Sequence, residues 1–197
     1  MIIGCDLDGT ICDNLPLLIE ELNNFTGQVI NINDIKDYDV TKVYDLTREQ
    51  FTQLMQQREA NIIEKSPEIA GAARYFKQLV NEHQLHIITA RNQMHEFCTR
   101  RWLEKHQFPY HGLHLLNSHD KVDICKELVV DVMVEDNYHN AVQLAAAGIE
   151  VILFNAPHNL HWPWPGKRCG NWDEIYSQLL LTAKLKNHKI YCAKLPE

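Results

Sequence analysis

The sequence predicts an α/β protein built on a parallel sheet with a small helical insertion, and three observations carry that expectation. Short apolar runs of strand length recur along the 197 residues. Segments with apolar positions three and four apart lie between them. The alternation is broken once, by a strand-free helical stretch directly after the first strand.

Taken in order, the runs are MIIGCDL (1–7), LHIITA (85–90), GLHLL (112–116), DVMVED (131–136) and IEVILF (149–154), each bounded by polar turns. Near-continuous apolar runs of this length suit strands buried on both faces, as in parallel sheets. Helical spacing appears at Ala72, Ala73, Phe76 and Val80, again at Met94, Phe97, Cys98 and Trp102, and again at Tyr138, Ala141, Val142 and Ala145. Strand and helix in alternation predict a Rossmann-like sheet sandwiched by helices and joined by right-handed crossovers.

Between Asp13 and Ser66 two helical patterns stand alone: Leu15, Leu18, Ile19, Leu22 and Phe25, then Phe51, Leu54, Met55, Arg58 and Ile62. Thr47 and Gln50 are spaced as a capping box that opens the second. Two helices and the VININD linker exceed what an ordinary crossover needs. The expected organisation is therefore a core of residues 1–12 and 67–197 and a helical cap of residues 13–66, set above the C-terminal end of the first strand, where such sheets bind ligands. NAPHNLHWPWPGKRCGNW reads as a loop wrapping the edge of the core before a last helix from Trp172. The tail KLKNHKIYCAKLPE is mildly basic, with part of it expected to be mobile.

A hydrophobic content of 45% and a charged content of 23% describe an ordinary globular protein, and a net charge of −7 argues against binding nucleic acid polymers or anionic membranes. No segment approaches a membrane span, and the N-terminus carries no leader pattern. The six cysteines (Cys5, Cys12, Cys98, Cys125, Cys169 and Cys192) lack C-x-x-C pairs and clustered histidines, so reduced thiols in the cytoplasm are expected rather than a zinc site or a disulfide framework.

Chemistry concentrates at strand ends. Asp6 and Asp8 stand where the first strand leaves its core, and Gly9 lets the backbone swing there. Crowded carboxylates repel and raise a pKa unless a cation sits between them; oxygen ligands of this kind suit a hard cation such as Mg²⁺. Glu135 and Asp136 end a neighbouring strand, so that one of them can face Asp6, and Thr89 ends another. Lys121, in the first turn of a helix, opposes the helix dipole by roughly 0.3–1 kcal/mol, which suggests that the site calls for it there. Lys126, mid-helix, shows no such anomaly.

DLDGT at a strand end, the helical insert behind it, Thr89, Lys121 and the Glu135-Asp136 pair resemble, in order and over nearly the whole chain, the four motifs of the haloacid dehalogenase superfamily of phosphohydrolases. That resemblance implies Asp6 as the nucleophile that forms an aspartyl-phosphate, and Asp8 as the acid that protonates the leaving alcohol and then the base that activates water. It implies Thr89 and Lys121 as phosphate-binding groups, and Mg²⁺ held by Asp6, the backbone carbonyl of Asp8, and Asp136. The fourth motif often carries a further acid where this chain has Asn140, leaving Glu135 or water to complete the metal shell. Arg91 is open between a substrate phosphate, the cap and a structural salt bridge; Cys5 and Cys12 read as small buried thiols.

The short helical cap, CDLDGTICDN and GNWDEI are similar to the cytosolic 5′(3′)-deoxyribonucleotidase group and its bacterial relatives. This implies a small phosphorylated metabolite as substrate, a nucleoside monophosphate first among them. A sugar phosphate, and a non-catalytic phosphate-binding role, are the alternatives. Such enzymes pin a base between cap aromatics, for which Tyr38, Tyr44 and Phe51 are the candidates, although aromatics there also build a cap's own core.

Overall fold

The computed structural model describes residues 1–192, with side chains to residue 186. Strands β1 (Ile2–Cys5), β2 (Gln84–Thr89), β3 (Gly112–Leu115), β4 (Val132–Glu135), β5 (Glu150–Phe154) and β6 (Lys167–Cys169) form one parallel sheet in the order β3-β2-β1-β4-β5-β6. The five apolar runs became β1 to β5. β6 is a correction: it lies inside the stretch expected to be a loop, where Lys167, Arg168 and Cys169 pair with Ile152, Leu153 and Phe154. Three residues with two charged side chains carry no strand pattern, and only the exposed edge of β5 makes one of them.

Side chains alternate between the two faces of the sheet. On β4, Val132 and Val134 face the larger core with Ile3, Cys5 and Ile87, whereas Met133 faces the smaller one with Ile88, Val151 and Leu153. Helices α4 (Ala72–Leu79), α5 (Glu96–Lys105) and α8 (Trp172–Cys192) cover the first face through Phe76, Trp102 and Trp172. Helices α6 (Val122–Glu127) and α7 (Tyr138–Ala146) cover the second through Cys125, Ala141 and Leu144. The buried faces of α5 and α7 differ from expectation. Met94 and Phe97 are 75% and 73% exposed and Val142 is 42% exposed, because Trp102 and Leu103 on one helix and Leu144 on the other fill the space over the sheet. α8 carries the chain into the basic tail as far as Cys192; residues 193–197, with the mobility expected for part of that tail, lie outside the described residues.

Residues 13–66 contain no strand. They fold as α1 (Leu15–Thr26), a short α2 (Val40–Val43) that the sequence pattern did not suggest, and α3 (Arg48–Lys65). The capping box forms: the Thr47 N–H donates to Gln50 Oε1 at 2.9 Å and the Gln50 N–H to Thr47 Oγ1 at 3.2 Å. Ile19, Leu22, Ile35, Val40, Tyr44 and Leu54 make a separate apolar cluster within this segment. Its two ends run side by side, the Asp13 N–H donating to the Pro67 carbonyl at 3.0 Å and the Ile69 N–H to the Ile11 carbonyl at 2.8 Å. Among the described residues no helix is long and apolar enough to cross a membrane.

The strand order reverses at β1: β2 and β3 lie on one side, β4 to β6 on the other. The crevice beyond the C-terminal ends of the strands at such a reversal is where an open α/β sheet receives ligands. Cys5 stands level with Ile87 and with Val134, two residues short of the end of β2 and one short of the end of β4.

Candidate active site

The chain turns tightly as it leaves β1. The Asp6 N–H donates to the Val134 carbonyl at 2.9 Å, and the Ile11 and Cys12 N–H groups both donate to the Leu7 carbonyl at 3.0 and 2.8 Å. Trp172 ties the turn to α8 by donating its indole N–H to the Thr10 carbonyl at 2.9 Å. Gly9, at φ +72°, is required here: a Cβ on it would stand 2.1 Å from Asp136 Oδ2. The glycine of the DLDGT stretch thus admits the aspartate of the fourth motif, Asp136, to the turn that bears Asp6 and Asp8.

Asp6, Glu135 and Asp136 are buried and offer carboxylate oxygens within 4.8 Å of one another. Lys121, the residue that precedes the first turn of α6, is 1% exposed and places Nζ 2.7 Å from both Asp6 Oδ1 and Glu135 Oε2. The other Glu135 oxygen accepts the Asn137 N–H at 3.0 Å, so Glu135 serves Lys121 and its own turn. Asp136 Oδ1 is buried and unpartnered. Burial, and then the Glu135 charge, pushes the Asp6 carboxyl up to about 7. Burial and the Asp6 and Glu135 charges raise Asp136 well above the carboxylate range. Lys121 is held above its ordinary value, the two carboxylates overcoming the opposing effect of burial.

Three buried carboxylates against one ammonium group leave excess negative charge, and an orphaned acidic oxygen in such a place is costly without a proton or a cation. A hard divalent ion fits this donor set.

Asp8 meets different surroundings. Arg91, 6% exposed, grips it with two parallel bonds, Nε to Oδ2 at 2.8 Å and Nη2 to Oδ1 at 2.6 Å. Arg91 Nη1 donates to Thr99 Oγ1 at 3.0 Å, and the Arg91 N–H donates to Thr89 Oγ1 at 3.2 Å. Of the readings left open for Arg91, the ion pair is the one that forms, and its partner is the second aspartate of DLDGT. Thr89 is buried at the end of β2. Cys5 and Cys12 are small buried thiols, Cys12 Sγ lying 3.5 Å from Arg91 Nη2. Asn140 is buried in the first turn of α7, its N–H donating to Asn137 Oδ1 at 3.2 Å.

Three groups at the site escaped the sequence reading. His158 lies 3.4 Å from Asp136 Oδ2, and Asn159 donates from Nδ2 to the Asp136 carbonyl at 2.7 Å. Both sit on the loop after β5, where a single histidine gives no signal. His119 precedes Lys121, and Tyr38 from the inserted segment wedges edge-on between the two histidines, with ring centroids 5.5 Å from His119 and 5.2 Å from His158. Tyr38 is 37% exposed as a residue, and the ring reaches the acidic crevice through His158, which lies beside Asp136. Tyr44 is a correction. It is 1% exposed in the insert's own core, its hydroxyl donating to Asn23 Oδ1 at 2.8 Å, and Phe51 packs on the same cluster. Lys126 is exposed.

The chain is 34% identical over 174 residues to "Putative nucleotidase BH1399" of Halalkalibacterium halodurans, with 87% of this chain and 88% of that protein covered. It is 28% identical to nucleotidase CA_C3379 of Clostridium acetobutylicum, with 88% and 91% covered. Among solved structures, the haloacid dehalogenase-like protein SP0104 of Streptococcus pneumoniae superposes with a TM-score of 0.66 at 13% identity, covering 90% of this chain and 97% of that one. A HAD family hydrolase of Deinococcus radiodurans, solved with bound phosphate and sodium, gives 0.65 at 13% identity, with 92% and 96% covered. These likenesses speak to the fold. Residues 1–186 match a nucleotidase family across sheet, insert and site alike. The chain belongs to the family of the 5′ nucleotidase, deoxy (pyrimidine), cytosolic type C proteins, on the phosphohydrolase fold of the haloacid dehalogenase superfamily.

Proposed function

We propose that this phosphohydrolase is a Mg²⁺-dependent nucleotidase that removes phosphate from nucleoside monophosphates through an aspartyl-phosphate on Asp6. The observation that carries the reading is the excess of buried carboxylate at the end of β1: Asp6, Glu135 and Asp136 face one lysine, and Asp136 Oδ1 has no partner. Mg²⁺ would be held by Asp6, the backbone carbonyl of Asp8, and Asp136; when bound it neutralises the excess charge and lets a phosphate dianion approach.

An Asp6 carboxylate oxygen bonds to phosphorus as the bond from phosphorus to the ester oxygen breaks, and the departing oxygen takes its proton from the Asp8 carboxyl. Asp8, now a carboxylate, takes a proton from water as the water oxygen attacks phosphorus. The acyl-phosphate bond breaks, restoring Asp6 and releasing inorganic phosphate. Lys121 stabilises the charge on Asp6 and the phosphoryl oxygens, and the Thr89 hydroxyl lies at the same edge to bind them. Glu135 holds Lys121 in place.

Residues 13–66 act as the cap that chooses the substrate, with Tyr38 as their contact with the crevice. The family match supports a nucleotide substrate. The five described cysteines are free and buried, in keeping with work in the reducing cytoplasm.

The test is an assay of the purified protein with Mg²⁺ on ribo- and deoxyribonucleoside monophosphates, sugar phosphates and an aryl phosphate. A nucleotide turned over fastest, with all activity lost to chelator, is the expected result. Sugar phosphates hydrolysed faster than every nucleotide would reassign the substrate, and full activity in chelator would remove the metal.

A further inference from the structure

We infer that Arg91 is the positioning residue for Asp8, holding its carboxyl group at the angle from which it serves the leaving oxygen; this rests on the proposed role of Asp8 as proton carrier. Asp8 stands on a turn with its side chain 27% exposed, whereas that of Arg91 is 3% exposed. A carboxyl group in such a turn has freedom to rotate toward solvent. Two parallel bonds from one planar guanidinium remove that freedom, because they fix the plane of the carboxyl group as well as its place.

The guanidinium is itself immobilised. Nη1 donates to Thr99 Oγ1 at 3.0 Å on α5, Nη2 approaches Cys12 Sγ at 3.5 Å, and the backbone N–H of Arg91 donates to Thr89 Oγ1 at 3.2 Å. The chain Thr99, Arg91, Asp8 therefore runs from the helical layer to the site, and one residue ties the proposed phosphate-binding hydroxyl of Thr89 to the proposed acid. Two carboxyl oxygens present about four lone-pair positions; the two bonds from Arg91 take one on each oxygen, and the others are left for the proton and the substrate. Lysine, a point charge with no fork, cannot fix that plane.

A positioning role differs from a merely structural one in which substrates it affects. An alkyl ester, such as a nucleoside monophosphate, needs a proton on its departing oxygen. A p-nitrophenyl ester, whose leaving group is stable as an anion, does not. The ratio kcat/KM covers the steps up to departure of the leaving group, so it isolates this demand. In Arg91→Lys, kcat/KM for the nucleoside monophosphate is expected to fall by roughly 10²-fold, with p-nitrophenyl phosphate changed by less than threefold. Adding Arg91→Lys to Asp8→Asn should cost nothing further, since the group being positioned is gone. Thr99→Val, which removes only the outer support and conserves volume, should show the same substrate selectivity at smaller size and keeps the test decisive if Arg91→Lys does not fold.

Equal losses on both substrates, an unchanged Arg91→Lys enzyme, or full additivity with Asp8→Asn would each overturn the inference. The underlying reading is separable. If Asp8→Asn itself shows no selectivity between the two esters, the assignment of Asp8 falls; if it does and neither Arg91→Lys nor Thr99→Val follows it, only the role of Arg91 falls.

Discussion

Asp6 and Asp8 leave one strand two residues apart and meet opposite electrostatic surroundings. Asp6 points into a buried crevice where Glu135 and Asp136 outnumber Lys121. Asp8 turns toward β2, where a buried guanidinium matches it bond for bond. The first environment is short of positive charge and open to a cation; in the second, one guanidinium balances one carboxyl group, which stays partly exposed. The same residue type thus meets two charge environments at one strand end, which is what suits it to the two roles proposed.

The largest break of this comparison is Asp6→Asn. Loss of the proposed nucleophile should lower turnover by roughly 10⁴-fold or more, whereas in chelator the melting temperature should hold or rise, because a carboxyl raised to about 7 by burial and Glu135 is relieved of its charge. Phosphate-release kinetics and a calorimetric melt check the pair of outcomes, and a folded Asp6→Asn protein with substantial turnover would sink the assignment.

Asp8→Asn should behave in the contrary way on stability. Turnover falls by roughly 10²–10⁴, and the melt drops by the equivalent of about 1–3 kcal/mol as buried Arg91 loses its charged partner. An Asp8→Asn melt equal to wild type would show that the pairing contributes nothing.

Mg²⁺ sharpens the contrast from the other side. At about a hundred times its Kd the ion should add about 2.7 kcal/mol of stability, visible as a raised melt. Asp136→Asn should lose most of that gain, while Asp8→Asn, which keeps its backbone carbonyl, should retain it. Equal loss in both would erase the division between the two environments.

The smallest expected effects separate two tyrosines of the insert. Tyr38→Phe removes the hydroxyl of the ring that meets His119 and His158 and should raise KM for a nucleoside monophosphate by a few-fold, corresponding to about 0.5–1 kcal/mol, with an unchanged melt. Tyr44→Phe removes the bond to Asn23 and should lower the melt by a similar amount with KM unchanged. Reversed outcomes would reverse which tyrosine faces the crevice.

Much of the sheet could be read locally. β1, β2, β4 and β5 are apolar runs because both their faces are covered, so their burial is written in their own composition. The Thr47 capping box and the start of α8 at Trp172 are likewise local. β6 was not legible, because its pairing comes from the neighbouring edge of β5 and not from its own residues. The exposed Met94 and Phe97 misled for a related reason: helical spacing marks an apolar face but does not say which apolar residues win the space over the sheet.

By itself the sequence determined which acids stand at strand ends, and in what order along the chain, since strand limits follow from hydrophobicity and the turn at Gly9 from its conformational freedom. Only the tertiary structure decided their partners. The same two carboxylates could have been paired by any of several cations on the chain; packing brought Lys121 between Asp6 and Glu135, sent Arg91 to Asp8, left Asp136 Oδ1 alone, and carried Tyr38 rather than Tyr44 to the crevice. The physical reason is range. Propensity and burial pattern act over a few neighbouring residues, whereas ion pairs in a crevice join groups such as Asp8 and Arg91, which lie 83 positions apart and meet only when β1 and β2 align.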